Sequence, residues 1–139
     1  MLERTAATES LITALTRATR AVTTRIARTL ETEDLTLDQW LVVDALSRQR
    51  GLAMTDLAER TMATGPTLTR VVDKLVSTAA VYREVDPADR RRVRVYLSPR
   101  GRALHKRIAV KVRDAERELL ERTGNPEAAL TVLDELAGR

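Results

Sequence analysis

The chain of 139 residues has no cysteine, no phenylalanine, one histidine (His105) and three aromatic residues, Trp40, Tyr82 and Tyr96. Without cysteine there is no disulfide, no thiolate nucleophile, no cysteine redox switch and no thiolate-bound metal. One imidazole cannot supply a His pair for a metal, and there is neither a Gly-rich phosphate loop nor a Gly-x-Ser-x-Gly elbow, so no catalysis, metal or cofactor is expected. Glu116, Glu118 and Glu121 sit in a mixed-charge stretch that reads as a solvated helix face. No apolar run approaches the ~20 residues needed to span a bilayer, and the N-terminus lacks the apolar stretch of a secretory signal. A cytoplasmic protein without membrane contact is therefore expected. Apolar residues make up 43% of the chain, enough for a core that must be aliphatic and mainly helical, in a single domain.

The net charge of +4 is unevenly spread. Residues 83–113 carry eleven basic against three acidic side chains, whereas residues 114–139 carry three against seven. Of the 24 basic residues 21 are arginine, whose planar fork matches phosphate and guanine edges. Such concentration points to a polyanion partner rather than to solubility alone.

Apolar residues recur in steps of three and four from Thr8 to Thr32 (Leu11, Leu15, Ala18, Val22, Ile26, Leu30), which predicts a helix with one apolar stripe. A second helix is predicted from Leu37 to Gln49, opened by Thr36 or Asp38, ended by Gly51, with Trp40, Val43 and Leu46 on one face. A short helix capped by Thr55 follows, then the connection Met62-Ala63-Thr64. Gly65-Pro66 opens another helix, expected to bury Leu68, Val71, Val72 and Leu75. Two short helices joined this way form a helix-turn-helix pattern. The period then changes to two, predicting strands over 81–85 and 93–97 around a basic tip, Asp86-Pro87-Ala88-Asp89-Arg90-Arg91-Arg92. Ser98-Pro99 opens a long helix with Leu104, Ile108, Val112, Ala115 and Leu119 on its stripe, and Gly124-Asn125-Pro126 leads into a last helix carrying Leu130, Leu133 and Leu136.

The run Asp89-Arg90-Arg91 followed by Leu97-Ser98-Pro99-Arg100-Gly101 resembles the wing signature of the MarR family of bacterial transcription regulators, Asp-x-Arg and then Leu-Thr-x-x-Gly. Leu57-Ala58 and Thr67-Leu68-Thr69-Arg70-Val71-Val72-Asp73-Lys74-Leu75 resemble that family's helix-turn-helix core, and the likeness runs in order over essentially the whole chain. It implies a mainly α fold with a small β-hairpin: a winged helix-turn-helix (34–98) flanked by dimerisation helices (1–33 and 99–139). Ser98 stands where the family prefers Thr and keeps the capping hydroxyl. Ala79 stands where the family usually has Gly. A left-handed backbone there would cost alanine roughly 1 kcal/mol or more; otherwise the turn takes another conformation.

The expected function is that of a sequence-specific, ligand-responsive repressor, binding a pseudo-palindromic double-stranded DNA operator as a homodimer. A recognition helix fits the major groove and reads base edges from its first turns, which singles out Thr64, Gly65, Pro66, Thr67, Thr69 and above all Arg70. Arg90, Arg91 and Arg92 suit a narrow minor groove, and the resemblance implies that Asp89 fixes the loop together with Arg91. Lys74 and Arg83 are expected to be phosphate anchors or surface charges rather than readers of sequence. The resemblance also implies a pocket for a small aromatic or phenolic effector, to which Arg17, Arg20, Trp40 and Asp44 are assigned, although a tryptophan on an apolar helix face is usually core. His105 is expected to be a packing or surface residue. The competing expectation is a winged-helix protein-interaction module whose basic face grips an acidic protein.

Overall fold

The structure, a computed structural model, describes residues 9–139. The elements run α1 (Leu11–Glu31), α2 (Leu37–Arg48), β1 (Leu52–Ala53), α3 (Met54–Thr61), α4 (Gly65–Ser77), β2 (Val81–Val85), β3 (Val93–Leu97), α5 (Pro99–Glu121) and α6 (Pro126–Leu136). Short polar side chains set most helix starts. Ser10 accepts from the Thr13 amide, and the helix predicted from Thr8 begins after it, Thr8 itself lying outside the described residues. Thr36 and Gln39 form a reciprocal capping box at 3.1 and 2.9 Å. Asn125 caps α6 through the Ala128 amide.

Two local expectations are corrected. Thr55 is not a cap: α3 starts at Met54, directly behind Ala53 of β1, and Ala53 offers no capping side chain. The two-residue strand β1 was not expected at all. It pairs antiparallel with β3 (Leu52 with Val95, Ala53 with Arg94), giving the sheet order β1-β3-β2. Strands β2 and β3 pair from Val81–Leu97 to Val85–Val93. Val81, Val95 and Leu97 are buried, whereas Val85 and Val93 are exposed because the hairpin runs past the body of the protein there.

One aliphatic core joins the helix-turn-helix to the long helices. Leu30, Val43, Leu57, Leu68, Val72, Val95 and Ile108 are sealed from solvent within it, and each such side chain contributes about 1.5–3 kcal/mol on burial. Val71, expected inside, is only partly buried at the core's edge. The stripe of α1 divides. Ile26 and Leu30 enter the core, while Leu11, Ile12, Leu15 and Val22 remain exposed. Leu130, Val132, Leu133 and Leu136 of α6 are likewise about half exposed. Among the described residues, the apolar faces of α1 and α6 are thus left uncovered. Glu33, just after α1, receives Lys111 at 2.6 Å and Arg107 at 3.1 Å, and Arg25 meets Glu118 at 2.9 Å, so α1 and α5 are cross-tied. The lysine and arginine beside Glu33 hold its carboxyl below the usual carboxylate range.

The junction between α4 and α5 is closely packed. Helix α4 ends in a Schellman turn, with Ala79 N–H donating to Val76 O and Ala80 N–H to Leu75 O, both at 2.9 Å. Ala79 takes φ +63° there, the left-handed conformation that glycine adopts freely. The Ser98 hydroxyl accepts from the Gly101 amide at 3.0 Å, capping α5, and donates toward the carbonyls of Ala79 and Ala80 at 2.6 and 3.0 Å. A side chain at Gly101 would stand 2.0 Å from Ala80 O, so only glycine lets the two helices approach so closely.

Candidate nucleic-acid interface

Helix α4 begins with an exposed polar end. Thr64 occupies the cap position but makes no side-chain cap bond. Its hydroxyl pairs instead with Thr67 Oγ1 at 3.0 Å, and Thr69 Oγ1 bonds back to Gly65 O at 3.0 Å. The Gly65 and Thr67 amides therefore point out of the helix end without a side-chain partner, and Pro66 has no amide to present. Such an end attracts anions through its free N–H groups and the helix dipole. Arg70 and Lys74 are exposed and in no ion pair among the described residues. Lys74 sits farther along the helix, beside a concavity of about 490 Å³ shared with Arg100 and Arg107.

The hairpin lies next to this helix. Arg83 of β2 reaches Asp73 of α4 as an ion pair, so it acts as a strut that fixes the distance between recognition helix and wing. Its charge is thus partnered within the chain, at a partly exposed position. Beyond it the tip carries Arg90, Arg91 and Arg92, all exposed, the Arg91 side chain to 92%. Asp89 accepts from the Arg91 amide at 3.0 Å and lies 3.4 Å from its Nε, a local contact that shapes the turn while the guanidinium stays in solvent.

Sequence reasoning missed a second carboxylate. Asp86 is buried, and its Oδ1 accepts from the Ala88 amide at 2.8 Å while its Oδ2 accepts from Arg94 Nε at 2.9 Å. The amide and the guanidinium beside it hold its carboxyl below the usual range. The Asp-Pro pair signals an Asx turn, but nothing in the local sequence pairs Asp86 with a residue eight positions away.

The residues assigned to an effector pocket separate within one chain. Trp40 is buried, its ring stacked on His105 at 5.0 Å between centroids and 4° between planes. His105 Nε2 is 2.9 Å from Asp44 Oδ1, so the imidazole ties α5 to α2 and is more than a surface residue. Trp40, Asp44, His105, Arg113 and Glu116 line a concavity of about 250 Å³. Burial first, and the nearby Asp44 charge second, raise the pKa of Glu116. A larger groove of about 730 Å³ lies on the other side of His105, between Arg50, Tyr82, Tyr96 and Arg102, with the two tyrosine rings stacked at 5.3 Å. Arg17 and Arg20 are elsewhere, on the outer half of α1 beside Ile12, and Arg17 is bound to Glu9 at 2.6 Å. Among the described residues no group of His, Asp and Glu could hold a metal ion, and no helix is long and apolar enough to cross a membrane.

A winged helix-turn-helix in this order is matched by known proteins. The family model described as MarR family matches residues 33–92. An HTH-type transcriptional repressor of Mycobacterium bovis is 33% identical over 93 residues, 67% of this chain and 67% of its own length. The structure resembles Bordetella bronchiseptica BpsR, whose DNA binding is regulated by 6-hydroxynicotinic acid, with a TM-score of 0.82, 27% identity and 94% and 92% of the two chains covered. It also resembles a MarR family protein of Mycobacterium tuberculosis in complex with p-aminosalicylic acid, with a TM-score of 0.75, 27% identity and coverage of 94% and 100%. Sequence, fold and the pairing of an open helix end with an arginine-tipped hairpin agree: the chain belongs to the MarR family of DNA-binding transcription regulators.

Proposed function

We propose that the protein is a homodimeric repressor that places α4 in the major groove and the 86–92 tip in the adjacent minor groove of each half-site. The observation that carries this is the uncapped, polar first turn of α4 on the element next to a hairpin whose tip carries three exposed arginines, Arg91 with its side chain 92% in solvent. Thr64, Gly65, Thr67 and Thr69 meet the backbone or base edges, Arg70 reads a guanine, and Lys74 touches phosphate. The exposed apolar stripes of α1 and α6 supply the twofold interface, which makes residues 1–33 and 99–139 the dimerisation parts around the winged portion 34–98. Two recognition helices related by a twofold axis call for half-sites about one helical turn apart.

The ligands of the two structural relatives support a small aromatic or phenolic acid as effector, received beside Trp40, Asp44 and His105. Selection of duplexes from a random pool, followed by anisotropy titration, tests the DNA reading. A pseudo-palindrome is expected, with affinity falling about 10³–10⁵-fold between 50 and 200 mM salt if about six to ten phosphates are neutralised. No enriched sequence together with a flat salt response would overturn it. A rise in melting temperature with the effector, accompanied by a change in emission from the single tryptophan, tests the pocket.

A further inference from the structure

Asp86 and Thr61 are the two polar residues buried among the described residues. Thr61 is explained by its bond to the Leu57 carbonyl. Asp86, at 7% exposure, sits where the hairpin leaves the sheet. Four hydrogen bonds meet there: Ala88 N–H to Oδ1, Arg94 Nε–H to Oδ2, Asp86 N–H to Arg92 O at 2.8 Å, and Asp89 N–H to Asp86 O at 3.2 Å. Arg92 N–H closes the loop on Asp89 O at 2.9 Å. One oxygen thus folds the tip into a turn while the other holds the far strand, where Arg94 lies opposite Glu84 and beside Ala53 of β1.

We propose that Asp86 is the positioning residue of the wing: with Arg94 it closes the neck of the 86–92 loop and holds the tip residue Arg91 in the arrangement that DNA meets, an inference that rests on the DNA-binding reading above. The side chain is specific to the task. Asparagine can make the turn but carries no charge to hold Arg94, and the longer glutamate would carry its oxygens past the Ala88 amide. Asp89, by contrast, is partly exposed and reaches only the amide and Nε of Arg91, so it orders the turn without tying it to the sheet. An unclamped loop of seven residues must be ordered when it enters the groove, and that cost comes directly out of the binding free energy.

The test uses the full-length protein and a duplex selected as above, comparing wild type, Asp86→Ala, Asp86→Asn, Arg91→Ala and the double variant Asp86→Ala/Arg91→Ala. Asp86→Ala is expected to weaken binding about tenfold, roughly the cost of immobilising one to three long side chains on binding, with Asp86→Asn in between. Hydrogen exchange at the Ala88, Asp89 and Arg92 amides should quicken while the α4 amides keep their protection. In the Arg91→Ala background the Asp86 substitution should add less than about twofold, because residues acting through one another are not additive. Should Asp86→Ala fail to fold, Arg94→Gln, at a partly exposed position, makes the same comparison. Wild-type affinity in Asp86→Ala, or an equal loss with and without Arg91, overturns the clamp. If the wild type itself binds no selected duplex, it is the DNA-binding reading that falls; wild-type binding with an unaffected Asp86→Ala sinks the clamp alone.

Discussion

Ala79 should be a site where one substitution makes the protein more stable. It occupies the left-handed position of the Schellman turn at φ +63°, is exposed, and touches its surroundings through backbone groups. A left-handed conformation costs an L-residue about 1–2 kcal/mol. Glycine would be free of that cost but has more freedom to lose from the unfolded chain, which takes back about 0.4–1 kcal/mol. The difference favours Ala79→Gly by about 0.5–1 kcal/mol, equivalent to about 2–4 °C in melting temperature for a chain of this length. Thermal unfolding followed by circular dichroism at matched protein concentration reads it directly, since an oligomer's melting temperature depends on concentration. Operator affinity should not change, because the Ser98 bonds to the carbonyls of residues 79 and 80 keep the angle of α4. A variant that melts at or below the wild-type temperature would show that the strain assigned to this turn is absent.

The same junction predicts the opposite response at Gly101: Gly101→Ala must move the Ala80 carbonyl or shift α5, and should lower stability by about 1–3 kcal/mol or more, with a drop in Tm as the readout. On the apolar face of α6, Leu133→Asp should convert dimer to monomer in light scattering at concentrations where the wild type is dimeric; an unchanged mass would remove α6 from the interface. Glu33 gives a pH signature. Its folded pKa is depressed by Lys111 and Arg107, so its stabilisation is fully present above the unfolded value of about 4.3 and is lost as pH falls through the folded one. The melting temperatures of wild type and Glu33→Gln should therefore differ at neutral pH and converge in acid. A constant gap across that range would contradict the ion-pair account.

Much of this molecule can be read along its chain because its signals are local. Apolar residues in steps of three and four mark α1, α2, α4 and α5, and the hydroxyls of Thr36 and Ser98 sit where helices begin. The arginines of the tip are equally legible, since three consecutive charges need no tertiary contact to be noticed. What escaped depends on distant partners. Leu52 and Ala53 are too few to show a period and become a strand only because β3 lies beside them. Thr55 looks like a cap until β1 places the start of α3 at Met54. Arg83 looks free until Asp73 of another element meets it, and Asp86 looks like turn punctuation until Arg94 arrives across the hairpin. The α1 stripe continues evenly through Leu11 and Leu15, yet the core ends near Ile26. Periodicity tells which face is apolar, not which molecule covers it.

The fastening of α4 to α5 through Ser98 makes the long helix a lever. Its 23 residues span roughly 35 Å. One end is welded at Gly101 and Ser98 to the carbonyls that close the recognition helix, and the other runs out toward α6 and its uncovered apolar face. A rotation of about 5° at the α6 end, carried along that rigid arm, swings α4 by roughly 3 Å. That is comparable to the spacing between adjacent base pairs. A small change in how two copies lean on each other is thus enough to move both recognition helices out of register, with no rearrangement inside either of them.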